Sequence, residues 1–139
     1  MKNKNILVTG GLGFIGSHFI ELLYKKCKNC KITIIDSYAY CVSKKTEDLL
    51  WNMYKNSSNE LDIIYQSISD FKLDKEYDYI VNFAAESHVD NSIKAGDIFI
   101  DSNYVGVYEL LKQLSDNTRF LQVGTDEVYG SLQFNSQPS

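Results

Sequence analysis

Arginine is nearly missing from this chain: of its 14 basic residues only Arg119 is one, and the lysines form no basic stripe. Against 18 acidic residues this leaves a net charge of −4 and a pI near 5.1, which argues against nucleic acid or an anionic membrane as a partner. Cysteine is scarce as well. Cys27, Cys30 and Cys41 are an odd number for a disulfide framework. Cys27-Lys28-Asn29-Cys30 has zinc-knuckle spacing, but no second Cys/His pair completes it, so plain thiols and no metal are expected. No uninterrupted apolar run approaches a membrane span. The first such run is strand-length and leads into a glycine turn rather than forming a signal peptide, so the expected compartment is the cytoplasm. Repeats, linkers and low-complexity segments are absent too. At 139 residues, 44% hydrophobic and 23% charged, the chain reads as one soluble domain with a core of its own.

What is present begins with Val8-Thr9-Gly10-Gly11-Leu12-Gly13-Phe14-Ile15-Gly16. An apolar strand (Ile6, Leu7, Val8) enters this turn, and a helix leaves it with Ile15, Phe19, Leu22 and Leu23 expected on one face. Such a turn sets bare backbone N–H groups at the positive end of a helix dipole, where a pyrophosphate can sit. Gly10 would permit the tight turn, Gly13 the approach of the phosphates, and Gly16 close packing of helix on strand. The spacing is G-x-x-G-x-x-G, one residue wider in its first gap than the commonest dinucleotide fingerprint, and alone it also fits a phosphate-free turn. Context decides for the dinucleotide: the next strand ends in Asp36, twenty residues after Gly16. A carboxylate there accepts hydrogen bonds from both ribose hydroxyls and repels a 2′-phosphate, which favours NAD over NADP.

Further strands are expected at Lys31–Ile35, Leu61–Tyr65, Tyr79–Phe83 and Phe120–Val123, and helices at Lys44–Asn56 and about Asp97–Leu114. Leu49, Leu50, Met53 and Tyr54 mark the apolar side of the first of these helices. Ile98, Tyr104, Val105, Tyr108, Leu111 and Leu114 form on the second a stripe wider than one sheet contact needs. Ser87 or Asp90 could cap a short helix between them. Strands alternating with helices predict an α/β, Rossmann-type doubly wound parallel sheet of order 3-2-1-4-5. Its ligand site belongs at the carboxyl ends of the strands, beside the switch between strands 1 and 4.

Two more segments fall at those ends. Phe83-Ala84-Ala85-Glu86-Ser87-His88-Val89-Asp90 offers small residues past which a flat ring can approach the backbone, then crowds polar groups onto one turn. Taken alone it fits a capped helix start with a solvated Glu and His equally well. Gly124-Thr125-Asp126-Glu127-Val128-Tyr129-Gly130 places adjacent carboxylates after a strand, where one can be kept as acid and the other as base; an ordinary acidic turn is the plainer alternative.

Together, Thr-Gly-Gly-Leu-Gly-Phe-Ile-Gly-Ser, Ala-Ala-Glu-Ser-His-Val-Asp-Asn-Ser and Thr-Asp-Glu-Val-Tyr-Gly, in this order and spacing, resemble the nucleotide-diphosphate-glucose 4,6-dehydratases of the extended short-chain dehydrogenase/reductase family. The resemblance covers nearly the whole chain. It implies oxidation at glucose C4 by NAD, elimination of water across C5–C6, and hydride return to C6. Glu127 would remove the C5 proton, Asp126 would protonate the leaving hydroxyl, and Thr125 would hydrogen-bond the C4 oxygen. Phe14, Ile15, Asp36, Ser37, Tyr38, Ala39, Ser67, Ile68, Phe83, Ala84, Ala85, Glu86 and Ser102 would line the NAD site, and Ser87 and His88 would face the sugar. Tyr40-Cys41 is similar to UDP-glucose-specific relatives and Ala-Ala-Glu-Ser-His to dTDP-glucose ones, leaving the nucleotide open.

The same family uses a tyrosine with a lysine four residues on, on a helix after the fifth strand. Tyr24/Lys28 and Tyr40/Lys44 have that spacing in the wrong place. Residues 1–139 are therefore expected to be an incomplete NAD-binding domain lacking turnover alone. The alternatives are a non-catalytic dinucleotide-binding module and a sugar-nucleotide epimerase, against which Asp126-Glu127 argues. A homodimer or a complementing C-terminal chain is the expected partner. Ser67 and Gly124 replace the family's usual Asp and Ser, each change expected to cost on the order of 1 kcal/mol of cofactor affinity.

Overall fold

The structure, a computed structural model, describes residues 1–38, 42–86, 96–125, 128 and 130. Five strands form one parallel sheet: β1 (Asn5–Thr9), β2 (Lys31–Asp36), β3 (Glu60–Tyr65), β4 (Tyr79–Asn82) and β5 (Arg119–Gln122), in the order β3-β2-β1-β4-β5. The expected order is the observed one, and the reason is visible in the register. Val8 pairs with Ile34 on one side and Val81 on the other, so the central strands are apolar at consecutive positions because both faces are covered.

The first face packs Ile6, Val8, Ile32 and Ile34 under α1 (Phe14–Lys26) and α2 (Lys44–Tyr54). The opposite face packs Leu7, Ile35 and Ile80 with Ile68, Phe71, Tyr77 and Leu110. Burying each large aliphatic side chain here contributes about 1.5–3 kcal/mol. Ser43 caps α2, its hydroxyl accepting from the Lys45 N–H at 3.2 Å. The turn from α1 to β2 is held by Asn59, whose amide donates to the Cys27 carbonyl and accepts from the Cys30 N–H, both at 3.0 Å. Cys27 and Cys30 are buried, and burial pushes the Cys27 thiol up; Cys41 lies outside the described residues.

Three expectations about helices need correction. On α1 the buried positions are Gly16, Ser17, Ile20 and Leu23, whereas Ile15 and Leu22 are exposed. Gly16 lies so close to the Gly10 carbonyl that no side chain fits between, and this fixes the inward stripe through 16, 20 and 23. Phe19 stays at the margin, its ring 5.2 Å from that of Phe83. On α2 Glu47 is buried beside Leu50 and Tyr54, and Leu49 faces solvent.

The last long helix is three pieces: α3 (Gly96–Ile100), a π-helical turn (Asp101–Val105) and α4 (Gly106–Leu111). The Gly106 N–H reaches back five residues to the Asp101 carbonyl. That wider turn shifts the phase of everything after it, so Leu110 enters the core while Tyr104, Tyr108 and Leu111 remain exposed. A helix cap at Ser87 or Asp90 falls outside the described residues.

Candidate functional site

The carboxyl ends of β1, β4 and β5 are tied together by a polar ladder whose first two members are buried. The Thr9 hydroxyl on β1 donates to the side-chain Oδ1 of Asn82 on β4, and the Asn82 side-chain amide donates to the Gln122 Oε1 on β5 at 2.8 Å. Thr9 and Asn82 are fully buried. The Thr9 oxygen also accepts from the Ala84 N–H at 3.4 Å, so the ladder positions the segment that follows β4. Sequence reasoning missed Thr9, Asn82 and Gln122; the only signal was polar residues ending otherwise apolar strands.

At the centre is the glycine turn. Gly10 has φ +63°, and a Cβ there would stand 2.7 Å from the Ala84 nitrogen, so the close passage of this turn over the end of β4 requires glycine. Gly13 opens α1 with no side-chain cap, and the first turn of the helix carries no acidic residue. Its leading N–H groups are thus left to an external acceptor, while Phe14, 82% exposed, and Ile15 stand clear of the fold.

Asp36 closes the other end of the turn. One carboxylate oxygen accepts from the Leu12 N–H at 3.0 Å and the other from the Tyr38 N–H at 2.9 Å. Burial to 6% exposure pushes its pKa up, and the two N–H donors oppose that shift. Each oxygen keeps a second lone pair, so two hydroxyls can still be received. Tyr38 adopts φ +56°, and its ring meets Tyr65 edge-on at 5.5 Å. The anchoring of the glycine turn by Asp36 was not legible in the sequence, which marks only the ribose role.

Two loops flank this centre, and the π-helical turn joins them. After β4, the peptide of Glu86 is bracketed by Asn103, which accepts from its N–H at 2.8 Å and donates to its carbonyl at 2.9 Å. After β3, Ser69 donates to the Asp101 carboxylate at 2.9 Å and meets the Ser67 hydroxyl at 2.9 Å. Between them Ile68 is buried, packed so tightly against Gly106 that a Cβ at 106 would overlap it. Ser102 lies on the same turn. The structure therefore gathers Gly10, Gly13, Phe14, Ile15, Gly16, Asp36, Ser37, Tyr38, Ser67, Phe83, Ala84, Ala85, Glu86 and Ser102 at one edge of the sheet; the Ile68 side chain belongs to the core. Thr125 follows β5 at that edge. Ala39, Ser87, His88, Asp126 and Glu127 lie outside the described residues.

A doubly wound parallel sheet with a glycine turn after β1 and a carboxylate ending β2 is a Rossmann-type, dinucleotide-binding architecture. The family model described as GDP-mannose 4,6 dehydratase matches residues 7–138, and the chain belongs to that family. It is similar to a dTDP-glucose 4,6-dehydratase of Mycolicibacterium smegmatis, 35% identical over 136 residues, covering 94% of this chain and 39% of the relative. Among solved structures it resembles the dTDP-glucose 4,6-dehydratase DesIV of Streptomyces venezuelae with NAD and TYD bound (TM-score 0.79, 35% identity, 96% of this chain and 43% of that one). It also resembles the Bacillus anthracis dTDP-glucose 4,6-dehydratase in complex with NAD (TM-score 0.77, 29% identity, 99% and 42%). The chain spans about two fifths of the length of these relatives.

Proposed function

We propose that this chain is the NAD-binding portion of a nucleotide-sugar 4,6-dehydratase, a lyase whose substrate is a nucleotide-diphosphate glucose such as dTDP-glucose. The support is the fit of the glycine turn to a dinucleotide: a cradle no Cβ could share at Gly10 or Gly16, an uncapped helix start, and Asp36 tied to the same turn through Leu12. Gly13, Phe14 and Ile15 would present N–H groups to the pyrophosphate, and Asp36 would receive the ribose hydroxyls. Ser37, Tyr38, Ala39 and Ser67 would flank the adenosine half, and Phe83 to Glu86 with Ser102 the remainder. Bound there, NAD would supply reversible hydride acceptance at the sugar.

The chain's own residues would do the rest. Thr125 would hydrogen-bond the C4 oxygen, Asp126 would hold the proton given to the leaving C6 hydroxyl, and Glu127 would take the proton from C5. Elimination of water at neutral pH needs such an acid and base side by side. Ser87 and His88 would face the sugar. Residues 123–139 hold no match to the family's Tyr-x-x-x-Lys pair, and the relatives extend well beyond the length covered here. The exposed apolar side of the π-helical turn and α4 (Tyr104, Tyr108, Leu111) supports pairing with a second copy. A cytoplasmic location agrees with the acidic composition and with the lack, among the described residues, of any helix long and apolar enough to cross a membrane.

Calorimetric titration of the 139-residue chain with NAD+ beside NADP+ tests the reading. Saturable binding with NAD+ preferred is expected; a folded chain that takes up neither overturns it.

A further inference from the structure

The turn that joins α1 to β2 holds two thiols against one another, and the proposed chemistry uses neither. Cys27 ends α1, its N–H bonding the Leu23 carbonyl at 2.8 Å, and Cys30 stands one residue before β2. Both side chains are buried in the cluster that holds Ile20, Leu23 and Tyr54. The two thiols are hydrogen-bonding neighbours, and that of Cys30 also reaches the Lys28 carbonyl at 3.5 Å. Between them the backbone turns at Asn29, φ +54°. Asn59 sets the spacing of the two ends, because one carboxamide takes the Cys30 N–H and gives to the Cys27 carbonyl, each at 3.0 Å. The Tyr54 hydroxyl in the same cluster is committed to the Ile20 carbonyl at 3.0 Å. Two sulfurs do not complete a metal site, and among the described residues no further His, Cys, Asp or Glu joins them.

We propose that Cys27 and Cys30 are a preorganised dithiol, which a small disulfide such as oxidised glutathione converts into an intramolecular disulfide that locks the α1–β2 turn. A disulfide demands close, facing Cβ atoms. Neighbouring thiols across a turn clasped by one carboxamide supply them with little movement of the backbone. The thiolate of one cysteine attacks a sulfur of the reagent, breaking its S–S bond and releasing one small thiolate. The thiolate of the other then attacks the protein-bound sulfur, closes the Cys27–Cys30 bond and releases the second. The two cysteine protons end on the two small thiols, so the pair loses two electrons and the reagent gains two. Burial keeps the Cys27 thiol protonated at neutral pH, whereas the attacking species is a thiolate. The reaction therefore waits on local opening of the surface turn that leads into Asn59 and is slow. The finished bond lies in the same shelter, away from reductant. This inference stands apart from the cofactor reading, since the pair lies at the other end of α1 from Gly13.

The test treats the 139-residue chain, carrying Cys41→Ser so that no third thiol competes, with excess oxidised glutathione, both in native buffer and in urea below the unfolding midpoint. Acid quenching, alkylation in denaturant and intact mass read the outcome. The expected product is lighter by two hydrogens, has no thiol left to alkylate and carries no glutathione. Cys27→Ala in the same background should stay unbridged. Closing so short a loop should raise the folded-to-unfolded ratio on the order of tenfold in urea unfolding, and reduction should reverse both the mass and the gain. Two thiols that stay free in both conditions would overturn the proposal, as would a glutathione retained on either cysteine, since each shows sulfurs that do not reach one another. A bridge that forms but lowers the urea midpoint would overturn it too, because the backbone would then have had to move.

Discussion

The carboxamide of Asn103 closes on the peptide of Glu86 from both sides, accepting its N–H at 2.8 Å and donating to its carbonyl at 2.9 Å. The two residues lie on different elements, one on the π-helical turn and the other beyond β4, so the pair fixes where Ala84–Glu86 stands over the glycine turn. Asn103→Ala should therefore weaken NAD+ binding by roughly tenfold, the worth of one to two exposed hydrogen bonds. The contact between them is exposed, so the melting temperature should move little. Asn103→Asp keeps the acceptor but sets a carboxylate against the Glu86 carbonyl and should bind no better. Titration and thermal melting of the same samples separate the two effects.

Gly106 offers a test of packing alone. A Cβ there would overlap Ile68 Cγ1 and stand 2.7 Å from its Cδ1, and the Asp101 carbonyl is 3.3 Å away. Gly106→Ala should destabilise the fold by about 1–3 kcal/mol, because a well-packed core resists an added methyl. Ile68→Ala alone should cost about 2–5 kcal/mol by leaving a cavity. Combined, the two changes should cost less than their sum, since the new methyl enters the space vacated. Urea unfolding of the four chains gives this coupling, and strict additivity would show that 106 and 68 do not press on one another.

These two positions also show what the sequence could and could not convey. The sheet order was legible because the central strands, covered on both faces, are largely apolar, and helical runs separate all the strands except β3 and β4. Gly10, Gly16 and Asp36 were legible because backbone approach and ribose recognition admit few residue types. The phase of α4 was not. A single five-residue hydrogen bond from Gly106 to Asp101 rotates Leu110 inward and Leu111 outward, and no periodicity in Asp97–Leu114 announces it. The inward stripe of α1 was misjudged for a related reason: contact between backbones at Gly16 and Gly10 outranked the greater hydrophobicity of Ile15 and Leu22.

Acid should act on two carboxylates in opposite senses. Burial raises Asp36 above the ordinary carboxylate range, so between the unfolded value of about 3.9 and the raised folded value the native state holds the proton more tightly. Its contribution to stability is full below that window and is lost as pH rises through it. Asp78 is the reverse. Its hydrogen bonds from Lys4, at 2.6 Å, and from the Asn5 N–H, at 2.8 Å, lower it, so its contribution is present above the unfolded value and lost as pH falls through the lower folded one. Replacing Asp36 with Asn should make stability rise more steeply with pH above about 4, whatever the substitution does to the absolute value. Urea midpoints across a pH series read the slope, and an unchanged slope would place Asp36 in an ordinary solvated setting.

The ladder from Thr9 through Asn82 to Gln122 makes the last prediction, because its members differ in what they leave behind. Asn82→Leu strands the fully buried Thr9 hydroxyl proton and should cost about 1–3 kcal/mol. Gln122 is exposed and can turn to water, so Gln122→Ala should cost little. Thr9→Val with Asn82→Leu removes both buried partners together and should recover part of the loss, since two apolar groups leave nothing unpaired. That rescue should not extend to the ligand. Thr9 also receives the Ala84 N–H, and the paired variant frees this segment above the glycine turn. A chain restored in stability yet still weak for NAD+ would show that the ladder places the site as well as holding the sheet. Recovery of both together would reduce it to an element of stability.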